Sequence, residues 1–100
     1  MTVEACCCHT KHTPRSEELK RSVARRVNCA IGQLNGIRQM VEEDRYCGDV
    51  LTQLAAVESA VKAISRMVMQ DHLETCVVER IQDGDTQVTD EVMSLFKKFM

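Results

Sequence analysis

Tryptophan is absent from this 100-residue chain, and the sequence holds only one tyrosine, two phenylalanines, one proline and four glycines. A core without bulky aromatics must be built from Val, Leu, Ile, Met and Ala, which suits helices packed side by side. With so few residues that break a helix, long uninterrupted helices are expected. No uncharged apolar run approaches the roughly 20 residues needed to cross a bilayer, and the N-terminus lacks the apolar segment of a secretory signal. The chain is therefore expected to be cytoplasmic, with no membrane partner. Neither a GxxxxGK nor a GxGxxG loop is present to cradle phosphate, and there is no internal repeat. No nucleophile, base and orienting group stand in a convincing arrangement, so an enzyme is not expected. The length suffices for one domain, and any ligand site and any partner surface must share that scaffold.

What is present begins with six cysteines. In a reducing cytosol these are thiols available for metal or redox chemistry more readily than structural disulfides. The formal charge of −2 is unevenly spread. Lys11, Arg15, Lys20, Arg21, Arg25, Arg26 and Arg38 face only Glu17 and Glu18 over the same stretch, whereas Asp83, Asp85, Asp90 and Glu91 crowd the other end before Lys97 and Lys98. The local excess is compatible with a polyanionic partner, and equally with an ordinary solvated helix face.

Residues 1–14 show no apolar periodicity and read as a flexible tail carrying Cys6, Cys7, Cys8, His9 and His12, followed by a single helical domain over residues 15–100. Ser16 can cap a first helix with Glu17 and Glu18 in its favourable first turn. Leu19, Val23, Val27, Ala30, Leu34, Ile37 and Val41 then recur three or four apart, one stripe on a long helix ending near Glu43. Gly32 and Gly36 inside it cost helix propensity, which implies either a local weakness or a closely approaching neighbour. Asp44 to Gly48 reads as a connection. Asp49 opens a second helix with the stripe Val50, Leu51, Leu54, Val57, Val61, Ile64 and Val68, uninterrupted to Asp83, and roughly 50 Å long. A turn at Asp83-Gly84-Asp85 precedes a short third helix, capped by Thr89 and carrying Val92, Leu95, Phe96 and Phe99. The fold class is all-α, with a long, a longer and a short helix. Stripes this long leave surplus apolar surface, so an antiparallel helical-bundle homodimer, or a dimer-of-dimers homotetramer, is expected.

His72 and Cys76 are four apart on the second helix and so share a face. A chance pair is a common explanation for two such residues, but Cys47 before the same helix supplies a third candidate. On one unbroken helix, Cys47 and His72 are separated by roughly 37 Å, too far to share an ion within one chain. Two such helices packed antiparallel bring the start of one beside the late turns of the other, giving two symmetric sites. Two thiolates and an imidazole form a soft, low-coordinate set suited to copper(I), and to zinc if a fourth ligand is supplied.

The stretches RRVNCAIGQLNGI, MVEEDRYCGDVLTQLAAVESA, QDHLETCVVERI and LFKKF, in this order and separation, closely resemble the copper-sensitive operon repressor family over residues 15–99. That group also includes nickel, cobalt, formaldehyde and sulfur-species sensors. The resemblance implies a copper(I)-responsive repressor that binds operator DNA when metal-free and is released by copper(I). It implies one ion per protomer, held between two protomers by Cys47, His72 and Cys76, with HLETC and the Tyr46-Cys47 pair pointing to the copper branch. It also implies that Tyr46 and Glu91 back the ligands. The turn after Ile81 is one residue shorter than in such relatives, which keeps Asp90 as the alternative to Glu91. The second nitrogen of His72 needs such a hydrogen-bond partner to fix the ring. Such repressors lay a basic surface on duplex DNA, which falls here on Arg26 and Arg66, with Arg25, Arg21, Lys20 and Lys98 as helpers. Arginine suits this because its planar fork meets phosphate or guanine bidentately. Gln33 can add a polar contact or satisfy an interhelical bond.

Three readings stay beside this one. A persulfide-responsive repressor would pair Cys47 with Cys76, although such sensors often lack a residue like His72. A copper-buffering protein would need no DNA, against which the basic first helix and Arg66 speak. The cysteine-rich tail can be an auxiliary metal site, a point of copper exchange with a chaperone, or an oxidisable stretch without a role. Cys29 is expected to be a semi-buried small hydrophobe, and Met40, Met67, Met69 and Met93 are expected to be packing residues.

Overall fold

The computed structural model describes residues 13–99, and the cysteine- and histidine-bearing part of the tail (Cys6, Cys7, Cys8, His9 and His12) lies outside them. The elements are α1 (Glu17–Glu42), α2 (Cys47–His72), a π-helical turn (Leu73–Val77), α3 (Val78–Gln82) and α4 (Val88–Phe99). The class is all-α as expected, with no strand among the described residues. The second helix differs from expectation in two ways. It begins at Cys47, because the Tyr46 carbonyl already accepts from the amides of Asp49 and Val50 at 3.1 and 3.2 Å. Cys47 therefore stands on the first turn of α2 and not in a loop. The helical backbone then runs to Gln82, but residues 73–77 are wound as a π-helix.

Contacts divide the described residues into two compact units, residues 17–66 and residues 67–99 together with residues 13–16. In the first, Ala30, Ile37 and Val57 are buried, while Val27, Ile31, Leu34, Val41, Leu51, Leu54 and Val61 stay exposed, Leu51 by 64%. The predicted stripes thus split, with part facing within the chain and part facing outward. Burying a side chain of this size is worth about 1.5–3 kcal/mol, so the outward rows are a large unsatisfied apolar surface. Gly32 and Gly36 lie within continuous helix, and a Cβ on either would meet nothing within 4 Å. Among the described residues, no neighbour approaches either one. Cys29 is exposed, not semi-buried, because it falls off the row of Ala30 and Ile37.

The end of α1 is closed by Asp44, which takes the left-handed conformation at φ 56°. Its amide donates to Val41 O at 3.2 Å and that of Arg45 to Met40 O at 2.9 Å. These two bonds form a Schellman cap, a role usually given to glycine.

The second unit is organised by Val77, Val88 and Val92, with Leu73 and Phe96 packed against them. Residues 88, 92 and 96 mark one face of α4, and 73 and 77 the face that meets it. Val88 is fully buried and starts the helix one residue before Thr89. The Thr89 hydroxyl donates to Thr86 O at 3.0 Å, so Thr89 sits inside α4 and does not cap it. The end of α3 repeats the Schellman pattern with Gly84 at φ 89°, Gly84 N to Ile81 O at 3.0 Å and Asp85 N to Arg80 O at 2.8 Å. Asp85 Oδ1 then accepts from the Gln87 amide at 3.0 Å, an Asx-turn that leads the chain into α4. Met69 is buried, but Met93 is 59% exposed and does not serve as a packing residue within the chain.

Candidate metal centre

His72 closes α2, and Cys76 lies inside the π-helical turn that follows. A π-turn adds a residue to each hydrogen-bonded ring, and such turns are common at functional sites. Thr75 lies within this turn. Its hydroxyl donates to Asp71 O at 2.8 Å, a side-chain bond to the carbonyl four residues back that bends helices. The same hydroxyl lies 3.9 Å from Cys76 Sγ. Cys76 is completely buried, whereas Cys47 is exposed. The candidate ligands thus offer one sheltered and one accessible thiol.

The imidazole of His72 faces a carboxylate. Nε2 lies 3.7 Å from Glu91 Oε1, and both side chains are largely buried at 12% and 13% exposure. Among the described residues, Oε1 finds no hydrogen-bond donor. The other oxygen, Oε2, receives Arg80 Nη1 at 2.5 Å. Arg80 also donates through Nε and Nη2 to Asp85 Oδ2, at 2.9 and 2.6 Å. This double pairing raises the pKa of Arg80, through Glu91 first and Asp85 second. The same guanidinium holds the Asp85 carboxyl below its ordinary 3.8. Of the two acids weighed for the place beside His72, Glu91 faces it and Asp90 is exposed. Arg80 was not anticipated from the sequence. Its partners are five and eleven residues away across a turn, a spacing that no helix periodicity reveals.

Tyr46 is 74% exposed, and its ring lies over the start of α2. A Cβ placed on Gly48 would come within 2.5 Å of its Cε2 atom. The missing side chain at Gly48 therefore makes room for the ring next to Cys47. Among the described residues of one chain, no three His, Cys, Asp or Glu side chains converge on a metal position. A metal centre that drew on His72 and Cys76 would need a further ligand from elsewhere.

The candidate DNA-contacting residues Lys20, Arg21, Arg25, Arg26, Arg66 and Lys98 are all exposed, as is Gln33. Lys20 also pairs with Glu17 at 3.3 Å. No helix among the described residues is long and apolar enough to cross a membrane.

The family model for metal-sensitive transcriptional repressors matches residues 19–98. The copper-sensing transcriptional repressor CsoR of Bacillus subtilis is 38% identical over 95 residues, covering 91% of this chain and 94% of that protein. RicR, a copper-sensing transcriptional repressor of Mycobacterium tuberculosis, is 42% identical over 65% of this chain and 68% of its own. Among solved structures, the copper-sensing repressor CsoR with Cu(I) from Geobacillus thermodenitrificans superposes with a TM-score of 0.82 at 32% identity, covering 91% of this chain and 96% of that one. The nickel-responsive regulator InrS gives 0.70 at 28% identity over 89% and 98%.

Proposed function

The chain belongs to the metal-sensitive transcriptional repressor family, and from that premise we propose that it represses transcription by binding operator DNA when metal-free and releases it on binding copper(I). The observation that carries this reading is the backed half-site, in which His72 and Cys76 lie four residues apart on one helical run and the largely buried Glu91 carboxylate stands behind the imidazole. The donor set fits a soft ion. With Cys47 it comprises two thiolates and one imidazole, which favour copper(I) over hard oxygen-seeking cations. Because Nε2 faces Glu91, Nδ1 is the ring nitrogen assigned to the metal, and Nε2–H becomes a donor whose natural acceptor is Oε1.

Cys47 of one protomer completes the set of His72 and Cys76 of another, giving one copper(I) per protomer between two copies. The outward apolar rows on α1 and α2 support assembly of such copies into a dimer or tetramer. Tyr46, next to Cys47 in the chain, and Glu91 back the ligands. Arg26 and Arg66 contact DNA, assisted by Arg25, Arg21, Lys20 and Lys98. For relief of repression, copper(I) must favour the DNA-free arrangement, and DNA must then weaken copper(I) binding by the same factor.

The test is operator binding by the reduced full chain, titrated anaerobically with copper(I), zinc and a sulfane-sulfur donor. Loss of DNA affinity at one copper(I) per protomer, abolished by Cys47→Ala or Cys76→Ala, supports the reading. Release by the sulfur donor with indifference to copper(I) would replace it with thiol sensing. A copper-binding chain that holds no DNA in any state would be a buffer.

A further inference from the structure

Arg80 lies in the last turn of the five-residue helix α3. A cation there already favours the helix C-terminus, yet that role would leave its head in water. Instead the side chain is only 20% exposed, and the fork spans two carboxylates. Nε and Nη2 converge on Asp85 Oδ2, while Nη1 takes Glu91 Oε2. Asp85 in turn holds the Gln87 amide that leads into α4. One planar group thereby joins α3, the 83–87 turn and the first turn of α4.

The geometry of Glu91 follows from this. With Oε2 fixed by Arg80, the rigid carboxylate directs Oε1 toward His72 Nε2, and Oε1 stops at 3.7 Å without a hydrogen bond. An ordinary hydrogen bond at about 2.9 Å requires the two groups to close by roughly 0.8 Å. With Oε2 held by Arg80, a turn of Glu91 alone toward His72 pulls against that contact and loads the 83–87 turn through Asp85.

We propose that Arg80 is the positioning residue that converts a change at His72 into a displacement of the 83–87 turn and α4. This rests on the reading of His72 as a metal ligand. Arg80 touches neither metal nor DNA and acts only through Glu91 and Asp85. In its absence Glu91 rotates to meet His72 locally, and the rest of the unit stays where it was.

The decisive variant is Arg80→Met, which keeps much of the apolar stem and removes the fork. Two readouts are taken on the reduced full chain with and without copper(I): operator affinity, and the backbone amide spectrum. In the wild type, amides of residues 72–76 and 85–91 shift together on copper(I) addition. In Arg80→Met the 72–76 amides still shift, the 85–91 amides do not, and copper(I) affinity falls by no more than about tenfold. The factor by which copper(I) weakens DNA binding, commonly about 5–150-fold in allosteric systems, drops to below about threefold. Arg80→Lys, whose single ammonium does not span both carboxylates in the fork geometry, gives an intermediate loss and carries the test if the methionine variant does not fold. Coupling within about threefold of wild type, with the 85–91 amides still moving, overturns the proposal. A wild-type chain whose DNA affinity ignores copper(I) defeats the copper-sensor reading instead, and the amide spectra still decide whether Arg80 links His72 to α4.

Discussion

His72 Nε2 and Glu91 Oε1 face each other across 3.7 Å in a nearly buried setting, and the carboxylate oxygen has no hydrogen bond. A buried acceptor left unsatisfied costs about 1–3 kcal/mol. The pair is thus poised to gain when the imidazole presents a proton on Nε2. Nδ1 ligation would enforce that tautomer.

Glu91→Gln should therefore weaken the metal response more than it weakens the fold. The amide keeps the size of the side chain but turns the ion pair with Arg80 into a bond from a charged donor to a neutral oxygen, a loss of about 1 kcal/mol in urea denaturation. Copper(I) affinity, measured by competition with a chromophoric chelator, should fall about 10–100-fold. Equal copper(I) affinity in the two proteins would remove Glu91 from the site.

Asp85 predicts a pH dependence. Arg80 depresses its folded-state pKa below the ordinary 3.8, so the stabilisation it contributes is fully present above that value. It is lost as the pH falls through the lower folded-state value, where the native carboxylate takes up its proton. Asp85→Asn should be less stable than wild type at pH 7, and the gap should narrow steadily below about pH 3.8. Urea melts at a series of pH values check this. A gap of constant size down to pH 2 would show that Asp85 acts through its turn alone.

Tyr46 is the only tyrosine in a chain without tryptophan, so tyrosine emission reports on it directly. Gly48→Ala places a methyl 2.5 Å from the Tyr46 ring and should swing the ring outward, raising its quenching by acrylamide. Thermal stability should change little, since alanine gains about 1 kcal/mol of helix propensity over glycine against the displaced contact. Unaltered quenching would mean that the ring does not rest over Gly48 in solution.

The two Schellman caps predict opposite substitutions. At Asp44, whose φ is 56°, a β-branched valine should cost about 1–2 kcal/mol, while glycine should be tolerated. At Gly84, with φ 89°, alanine should cost about 1–2 kcal/mol. Chemical denaturation of the three variants measures all of this, and a neutral Asp44→Val would rule out the left-handed cap.

Much of this protein is written in periodicity and residue chemistry. The three-to-four-residue spacing of apolar side chains and the scarcity of Pro and Gly determine an all-helical chain. The pattern Cys47, His72 and Cys76 marks a candidate soft ligand set, and Glu91 beside His72 is one of two acids that sequence alone keeps in view. These features are local or depend only on order along the chain. The split of each apolar stripe into buried and outward rows depends on which neighbour each face meets, and hydrophobicity is the same on both. The π-turn at Leu73–Val77 is a local departure from α winding too small for propensity to reveal. Arg80 acquires its partners only when the Gly84 turn folds α4 back against the end of the second helical run. Sequence determined the helices and the candidate donors; tertiary structure decided which carboxylate stands behind His72 and what holds it there, because those contacts join residues that no helical period relates.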